Sequence, residues 1–469
     1  MKRGVRPLFT ELPVTLRAQQ VAPGGTFVAL QGFKEHGVKY VETALQRGVR
    51  SIVIEESSSI DRAAIQRMIP PDIQVSYTDQ GRKIVAQLSA AYHNYPARSA
   101  CMIGITGTKG KTTTTYLIHH ILQFCGYHAA LLSTVDHMIM DEIYAGDLTT
   151  PQADYLHAFM RHAVDRGVTH IVMEVAAQAL STQRVEGIAF DRVIWLNFAQ
   201  EHAEFYQTMD DYFEAKERLL EQVKQPSGII FASCDDKRIE KAVMQRSASH
   251  VFFSRNKIRL DRTDMAQSAS WYEYEGSLFL CKNLYGEFNG ENIIAALNVV
   301  CSLGIDRAHA LEALSHFPGV PGRMNWYQLP RGVRACIDYA HTPASFQGIL
   351  SELRRHTNHL IVVFGAGGER DTVKRPLMGS IAAQLADEVI VTSDNPRFED
   401  PEKIIQDICS GITQRTVVRE LDREKAIQRA YHRARSGSII AVLGKGPDEY
   451  QIIQGNKYSF SEREILENL

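Results

Sequence analysis

Long apolar runs are missing from this 469-residue chain: no stretch of about 18 consecutive hydrophobic residues occurs, and Met1–Pro7 is not followed by an apolar segment. Membrane spanning and secretion are therefore not expected, and a cytoplasmic setting is. Cysteine is sparse. The seven residues stand singly with no CxxC pair, a pattern of reduced thiols that excludes a disulfide framework. Neither sign of charge dominates, since 52 Lys+Arg against 54 Asp+Glu give a formal net charge of −2. Nothing electrostatic favours nucleic acid or a membrane surface as partner. Repeats and low-complexity tracts are absent. A 44% hydrophobic and 23% charged composition over this length suits a soluble globular protein of about three domains.

What is present is an alternation of short apolar strands with helical stretches. In residues 1–95 the runs Thr26–Leu30 and Ser51–Ile54 read as strands. In residues 96–324, strand runs at Ile171–Met173, Arg192–Leu196 and Gly228–Phe231 alternate with helical patterns, which predicts βαβ units around a largely parallel sheet. The turn cluster Phe317–Arg323 closes this block. In residues 325–469 buried-strand runs recur at His359–Phe364, Glu388–Thr392 and Ser438–Leu443. Polar or Gly residues follow each of them, at the sheet edge where α/β folds bind ligands. The fold class is α/β.

The most informative motif is Gly107-Thr108-Lys109-Gly110-Lys111-Thr112-Thr113, between an apolar strand and a helical pattern. A Gly turn opening a helix aims free N–H groups and the positive end of the helix dipole at one point, which suits a nucleotide phosphate. Lys111 would neutralise the outer phosphates and Thr112 would ligate Mg²⁺. The strict phosphate-loop pattern asks for Gly at position 105, which is Ile105 here. A plain Gly-rich turn with surface lysines is the bland alternative.

Other candidates lie at strand ends. Glu174 suits a Mg²⁺ ligand opposite the phosphate loop, or a solvated strand-end carboxylate. His202 follows another strand, as a ligand or as a structural hydrogen-bonder. Lys216 sits in a helical pattern with Glu214 and Glu217, and by spacing alone it is a surface lysine. In Asp338–Pro343, Asp338 could hold ribose hydroxyls and His341 a phosphate, or the segment is a turn and an N-cap. Gly365–Asp371 is not a GxGxxG motif. Asp394–Arg397 alone is a turn. With Arg370 it places two guanidinium groups at one sheet edge, a natural carboxylate clamp.

Taken together these stretches resemble the Mur ligases, the ATP-dependent amide-forming enzymes of peptidoglycan precursor assembly. The likeness covers nearly the whole chain. It is strongest at Gly107–Thr113, Asp338–Pro343, Lys374–Gly379 and Asp394–Arg397. It implies a three-domain architecture: an N-terminal UDP-substrate domain (1–95), a central P-loop ATPase domain (96–324), and a Rossmann-like C-terminal amino-acid domain (325–469). It also implies roles. Gly107–Thr113 would bind ATP; Thr112, Glu174 and His202 would hold Mg²⁺. Lys216 would be N-carboxylated and its carbamate would help hold a second Mg²⁺, which reverses the reading from spacing. Asn289 and Asn292 match the adenine side, and Arg323 an ATP contact at the hinge. Asp338 and His341 would complete the nucleotide site. Thr149, Thr150 and Arg184 match the muramyl-peptide side. Arg370, Asn395 and Arg397 match residues that grip meso-diaminopimelate, with Gly444 and Asp448 at its far end.

Departures from the family pattern are concentrated elsewhere. The family's Asp-Ser-Arg reads Thr15-Leu16-Arg17 here. Glu-Val-Ser-Ser-His reads Glu174-Val175-Ala176-Ala177-Gln178. Asp-His-Leu-Asp-Tyr-His reads Glu201-His202-Ala203-Glu204-Phe205-Tyr206. Gly-Lys-Gly-His-Glu reads Gly444-Lys445-Gly446-Pro447-Asp448. The resemblance implies a ligase that adds meso-diaminopimelate to UDP-N-acetylmuramoyl-L-alanyl-D-glutamate through an acyl phosphate, with a UDP-linked muramyl peptide and a diamino acid as its partners and a monomer as its state. Two alternatives stay open: a paralogue using a different carboxylate, and a nucleotide-binding switch without turnover.

Overall fold

The structure, a computed structural model, describes residues 7–32, 35–58, 60–146, 148–201, 205–265, 267–413 and 417–469. His202 lies outside them. A four-stranded parallel sheet takes Leu12–Thr15, Val21–Ala29, Ser51–Glu55 and Gln74–Thr78 in chain order. An eight-stranded sheet follows, with Cys101–Thr106 between Arg192–Trp195 and His170–Glu174, all three parallel. The expected parallel character holds for six of its strands; the hairpin His137–Ile139 and Glu142–Tyr144 is antiparallel. Its residues are apolar on both faces, as a strand between two helical layers requires. Ile103 and Ile105 pack under the helices Lys111–Phe124 and Asn289–Ser302, while Met102 packs on the opposite side with Phe159 and Phe190.

The third large sheet runs in the order Asn325–Leu329, Val333–Asp338, Ile439–Leu443, Leu360–Phe364, Glu388–Val391, Val417–Arg419. Only its first strand is antiparallel. Five parallel strands therefore send their carboxyl ends, and the loops after them, to one edge. A three-stranded antiparallel sheet at Ile258–Asp264, Ala269–Tyr274 and Ser277–Lys282 is absent from the sequence expectations. Its second turn, Glu275-Gly276, has left-handed φ at both residues, 50° and 75°, the two-residue geometry that matches strand twist. Among the described residues no helix is long and apolar enough to cross a membrane.

The helix Ala153–Asp165 packs against Gly81–Tyr92 and so ties the first sheet to the second. His157 on this helix is buried, and neither ring nitrogen has a hydrogen-bond partner among the described residues. Burial, with nearby His93, pushes its pKa from 6.5 to about 4. A folded pKa below the unfolded one means that unfolding takes up a proton. The stabilisation is full above about pH 6.5 and is lost as pH falls towards 4. One pKa unit is worth about 1.4 kcal/mol, so urea denaturation of His157→Leu is expected to show an acid limb shallower by about 2–3 kcal/mol between pH 7 and 4.

Candidate active site

The expected phosphate loop sits at the carboxyl end of Cys101–Thr106, the inner strand of the second sheet, and opens the helix Lys111–Phe124. Gly110 has φ +85°, and a Cβ there would lie 2.2 Å from Asn292 Oδ1, so only Gly fits. Asn292 Oδ1 accepts from Thr114 Oγ1 (3.1 Å), and Asn292 Nδ2 donates to Asn289 Oδ1 (2.8 Å). Both predicted adenine-side asparagines are thus buried beside the loop and brace the helix behind it. Asn197, the first residue after the strand Arg192–Trp195 and Leu196, holds the loop from the other side. Its Oδ1 accepts from Lys109 N (2.8 Å), and its Nδ2 donates to Glu291 Oε2 (2.7 Å). Lys109 Nζ pairs with Glu201 at 2.7 Å.

Two lysines converge on one carbonyl. Lys111 Nζ donates to Gly107 O (2.8 Å) and Thr108 O (3.1 Å), and Lys216 Nζ donates to the same Gly107 O at 2.9 Å. Lys216 comes from the helix Met209–Glu217, whose capping box at Thr208 and Asp211 fixes its start. The reading of Lys216 as a surface lysine is overturned. It is fully buried, with its ammonium position 4.5 Å from the centre of the Tyr212 ring. The physical reason is visible in the packing: Tyr212, Ala215 and Ala177 form a buried cluster that draws this face of the helix inward. Burial, and next to it the Lys111 charge, holds the Lys216 amine well below the ordinary lysine range. Burial also lowers Lys111, against the pull of Glu174 and Glu201.

Glu174 is buried, not a solvated strand end. Its Oε1 accepts from Thr134 N (2.8 Å), and Thr134 Oγ1 lies 3.2 Å from Oε2 and 3.0 Å from Thr149 Oγ1. Thr150 is stitched to the same strand end: its Oγ1 donates to Glu174 O (2.9 Å) and accepts from Ala176 N (3.0 Å). Arg184 donates to Thr150 O (3.0 Å), while its Nε is buried with no partner among the described residues. Burial, then the Arg82 charge, lowers its pKa to about 10.

Across the hinge, Arg323 reaches to 3.4 Å from Thr112 Oγ1 and stacks over Tyr339 at 4.6 Å. Asp338 accepts from Met324 N (2.9 Å) and Ala340 N (2.7 Å), so its carboxylate shapes this connection. Burial raises its pKa against the pull of Arg323. His341 Nδ1 is 2.7 Å from Tyr339 O. Burial, then the charges of Lys109 and Lys374, pushes its pKa down to about 4. Thr342 caps the next helix with Pro343 in its first turn, as the bland reading expected.

The C-terminal sheet edge gathers the other predicted group. Arg397 has φ +54°; its Nη1 donates to Gly368 O (2.7 Å), and burial followed by the Arg370 charge lowers its pKa. Arg370 is exposed beside it, across Gly367. Asn395 Oδ1 accepts from Ile452 N (2.9 Å), a hairpin contact that makes Asp394–Arg397 more than a turn. Gly444, φ +112°, leaves room for the Asp394 carboxylate 2.9 Å from where a Cβ would stand. Asp448 is raised by burial against the pull of Lys445. Pro447 packs directly on Gly322 of the hinge. The two groups thus meet at Tyr339, whose pKa burial and Asp448 raise and Arg323 and Arg370 lower.

Residues that the structure adds to these clusters and the sequence did not single out are Thr134, Asn197, Glu201 and Arg375. Asn197 carried a signal, being next to a strand end beside the phosphate loop. Arg375, buried within Lys374–Gly379, pairs with Glu399 and Asp407 and donates to Gly367 O.

Comparison with known proteins supplies the family. Residues 105–300 match the Mur ligase middle domain, and residues 322–446 match the Mur ligase, glutamate ligase domain. Two curated relatives, from Chlorobaculum tepidum and Aquifex aeolicus, are each described as a UDP-N-acetylmuramoyl-L-alanyl-D-glutamate–2,6-diaminopimelate ligase. They are 36% and 34% identical, over 99% and 97% of this chain and 93% of each relative. A solved structure described by the same activity is 26% identical, with TM-score 0.63 over 98% of this chain and 94% of its own. A MurF ligase from Thermotoga maritima in complex with ADP has the same fold, at 20% identity and TM-score 0.65 over 92% of this chain and 94% of its own.

Proposed function

The chain belongs to the Mur ligase family, and from that membership we propose that it ligates meso-diaminopimelate to UDP-N-acetylmuramoyl-L-alanyl-D-glutamate with ATP, in peptidoglycan precursor synthesis. One observation carries the reading. Lys111 and the buried Lys216 converge on Gly107 O at a helix N-terminus, close to Glu174, and Arg323 links this loop through Tyr339 to a sheet edge with two guanidinium groups. The full-length similarity to ligases of that description supports it.

In this reading the backbone N–H groups of Gly107–Thr113 receive the ATP phosphates, with Asn289 and Asn292 on the adenine side. Arg323, Asp338 and His341 close the site from the C-terminal side. A substrate carboxylate oxygen bonds to the γ-phosphorus as the bond to ADP breaks, and Lys111 offsets the charge that spreads over the transferring group. The amine of the amino acid then attacks the acyl carbon, phosphate leaves, and the amine gives up a proton. No side-chain nucleophile is required. The Thr112 hydroxyl and Glu174 carboxylate are hard oxygen donors that fit Mg²⁺, with His202 a further candidate; the ion when bound would offset phosphate charge. Thr149, Thr150 and Arg184 would meet the muramyl peptide. Hinge closure would bring the two halves together and exclude water. The substrates are nucleotide-linked and water-soluble, and we read the chain as a cytoplasmic monomer that engages neither nucleic acid nor membrane.

A second reading, a paralogue for another carboxylate, draws on one feature. Where the family pattern is Ser-Ser-His, this chain has Ala176-Ala177-Gln178, and Ala177 joins an apolar cluster with Tyr212 and Ala215. ADP release with UDP-N-acetylmuramoyl-L-alanyl-D-glutamate, with and without meso-diaminopimelate, separates the readings. Amide product with both supports the first. Turnover only with another carboxylate supports the second, and nucleotide binding without turnover under any condition would leave a switch.

Amino-acid choice is assigned to Arg397, whose fork would pair with the distal carboxylate that lysine lacks, aided by Arg370, Asn395, Gly444 and Asp448. Loss of one partner of a buried charge pair costs about 2–5 kcal/mol. Arg397→Ala is expected to raise the KM for diaminopimelate by at least tens-fold and leave that for ATP unchanged. Full activity in this variant, or equal use of lysine by the wild type, would remove the clamp.

A further inference from the structure

The loops that carry Asn395 and Arg397 on one side, and Gly444 and Asp448 on the other, leave strands that are not neighbours. Glu388–Val391 and Ile439–Leu443 are separated in the sheet by Leu360–Phe364. The strand ladder therefore does not hydrogen-bond these two loops to each other. Buried side chains cross the gap. Arg423, the first residue of the helix Arg423–Arg433, is fully buried. Its Nη1 donates to Ser393 O (3.2 Å), two residues before Asn395, and its Nη2 donates to Leu443 O (2.7 Å), next to Gly444. Its Nε donates to Glu462 Oε1 at 2.6 Å, and Glu462 is itself buried at the start of the C-terminal helix Glu462–Glu467. A second tie joins the same loops: Lys445, wholly buried, donates to Asn395 Oδ1 at 3.3 Å. Glu462 Oε2 has no hydrogen-bond partner among the described residues, and the carboxylate feels the charges of both Arg423 and Lys445.

A guanidinium is suited to this bridge because its planar fork offers donors in several fixed directions. A buried cation without an anion would be strongly unfavourable, which is what Glu462 supplies. We propose that Glu462, Arg423 and Lys445 are positioning residues that hold the two loops in register, so that the C-terminal helix sets amino-acid affinity without touching the ligand. The proposal rests on the assignment of Asn395, Arg397, Gly444 and Asp448 to the amino acid made above.

The test uses the full chain carrying Glu462→Gln, which keeps an acceptor for Arg423 but removes the charge. The KM for diaminopimelate is expected to rise about tenfold or more, with kcat and the KM for ATP within about twofold, because misplaced binding groups weaken only the step they serve. Arg423→Lys keeps the charge but cannot reach both carbonyls, and the same split is expected. Amide hydrogen exchange is expected to quicken at residues 393–397 and 443–448 and to stay unchanged at 360–364. Equal loss in kcat and both KM values, or unchanged exchange in those loops, would overturn the proposal. So would faster exchange with an unaltered KM. A wild-type chain that forms no amide would count against the functional reading alone, and the exchange comparison would still decide the bridge.

Discussion

Lys216→Ala is expected to lower ATP-dependent amide formation by about 10²-fold or more, the scale of losing a preorganised charge at the transferring group. A fully buried amine whose pKa is held well below the ordinary range by burial and by Lys111 carries an enlarged neutral fraction at neutral pH. The neutral amine has the free electron pair needed to add to carbon dioxide; the nitrogen loses a proton and a carbamate forms. That reaction exchanges a cation repelled by Lys111 for an anion attracted to it. The remaining N–H can keep the bond to Gly107 O seen at 2.9 Å. The carbamate oxygens would then be hard anionic donors suited to Mg²⁺. Added short carboxylic acids are expected to restore part of the rate in Lys216→Ala, because they fit the space and carry the same charge. Lys216→Arg should stay inactive, since a guanidinium cannot deprotonate. Isotope-labelled bicarbonate gives a readout independent of turnover: a carbamate carbon signal in the wild type that is absent from Lys216→Ala. An unmodified, protonated Lys216 under turnover conditions, or an active alanine variant, would end this assignment.

Lys216 also marks where sequence reasoning succeeds and where it stops. The phosphate loop was legible because Gly107, Gly110, Lys111 and Thr112 obey local rules: a strand, a left-handed turn, a helix start. The strand ends Glu174, Asp338 and Asn395 were legible because apolar runs locate strands and parallel strands share an edge. Burial of Lys216 was not legible from spacing. Its helix pattern, with Glu214 and Glu217 beside it, is that of a solvent face, and only the tertiary cluster of Tyr212, Ala215 and Ala177 reverses it. The resemblance to a family pointed away from a surface lysine by a different route. Arg423 and Glu462 were invisible for a similar reason. They are 39 residues apart, and what they connect is set by strand order, which no local pattern reveals.

Lys111→Ala is expected to abolish amide formation, by about 10²-fold or more, while the helix and fold persist. Alanine is the best helix former, and the hydrogen bonds that Lys111 Nζ makes among the described residues go to the loop carbonyls Gly107 O and Thr108 O. Those contacts place the charge on the loop, next to the helix N-terminus, close enough to Glu174 and Glu201 for both to raise its pKa. A phosphoryl group placed on that loop would take over the ammonium, and its developing charge would strengthen the contact in the transition state. The substitution also reaches Lys216. The Lys111 charge is the second cause, after burial, of its lowered pKa, so removing it moves the Lys216 amine back towards the protonated form and reduces carbamate formation. Two losses therefore follow from one change. The double variant Lys111→Ala/Lys216→Ala is expected to be little worse than either single one, as for groups that act as a unit. Lys111→Arg, which keeps a cation beside Lys216, is expected to retain the labelled carbamate signal even where turnover is slow. Near-normal turnover in Lys111→Ala, with an unchanged thermal midpoint, would remove the phosphate-loop assignment; strictly additive losses in the double variant would separate the two lysines and leave Lys216 to be explained by burial alone.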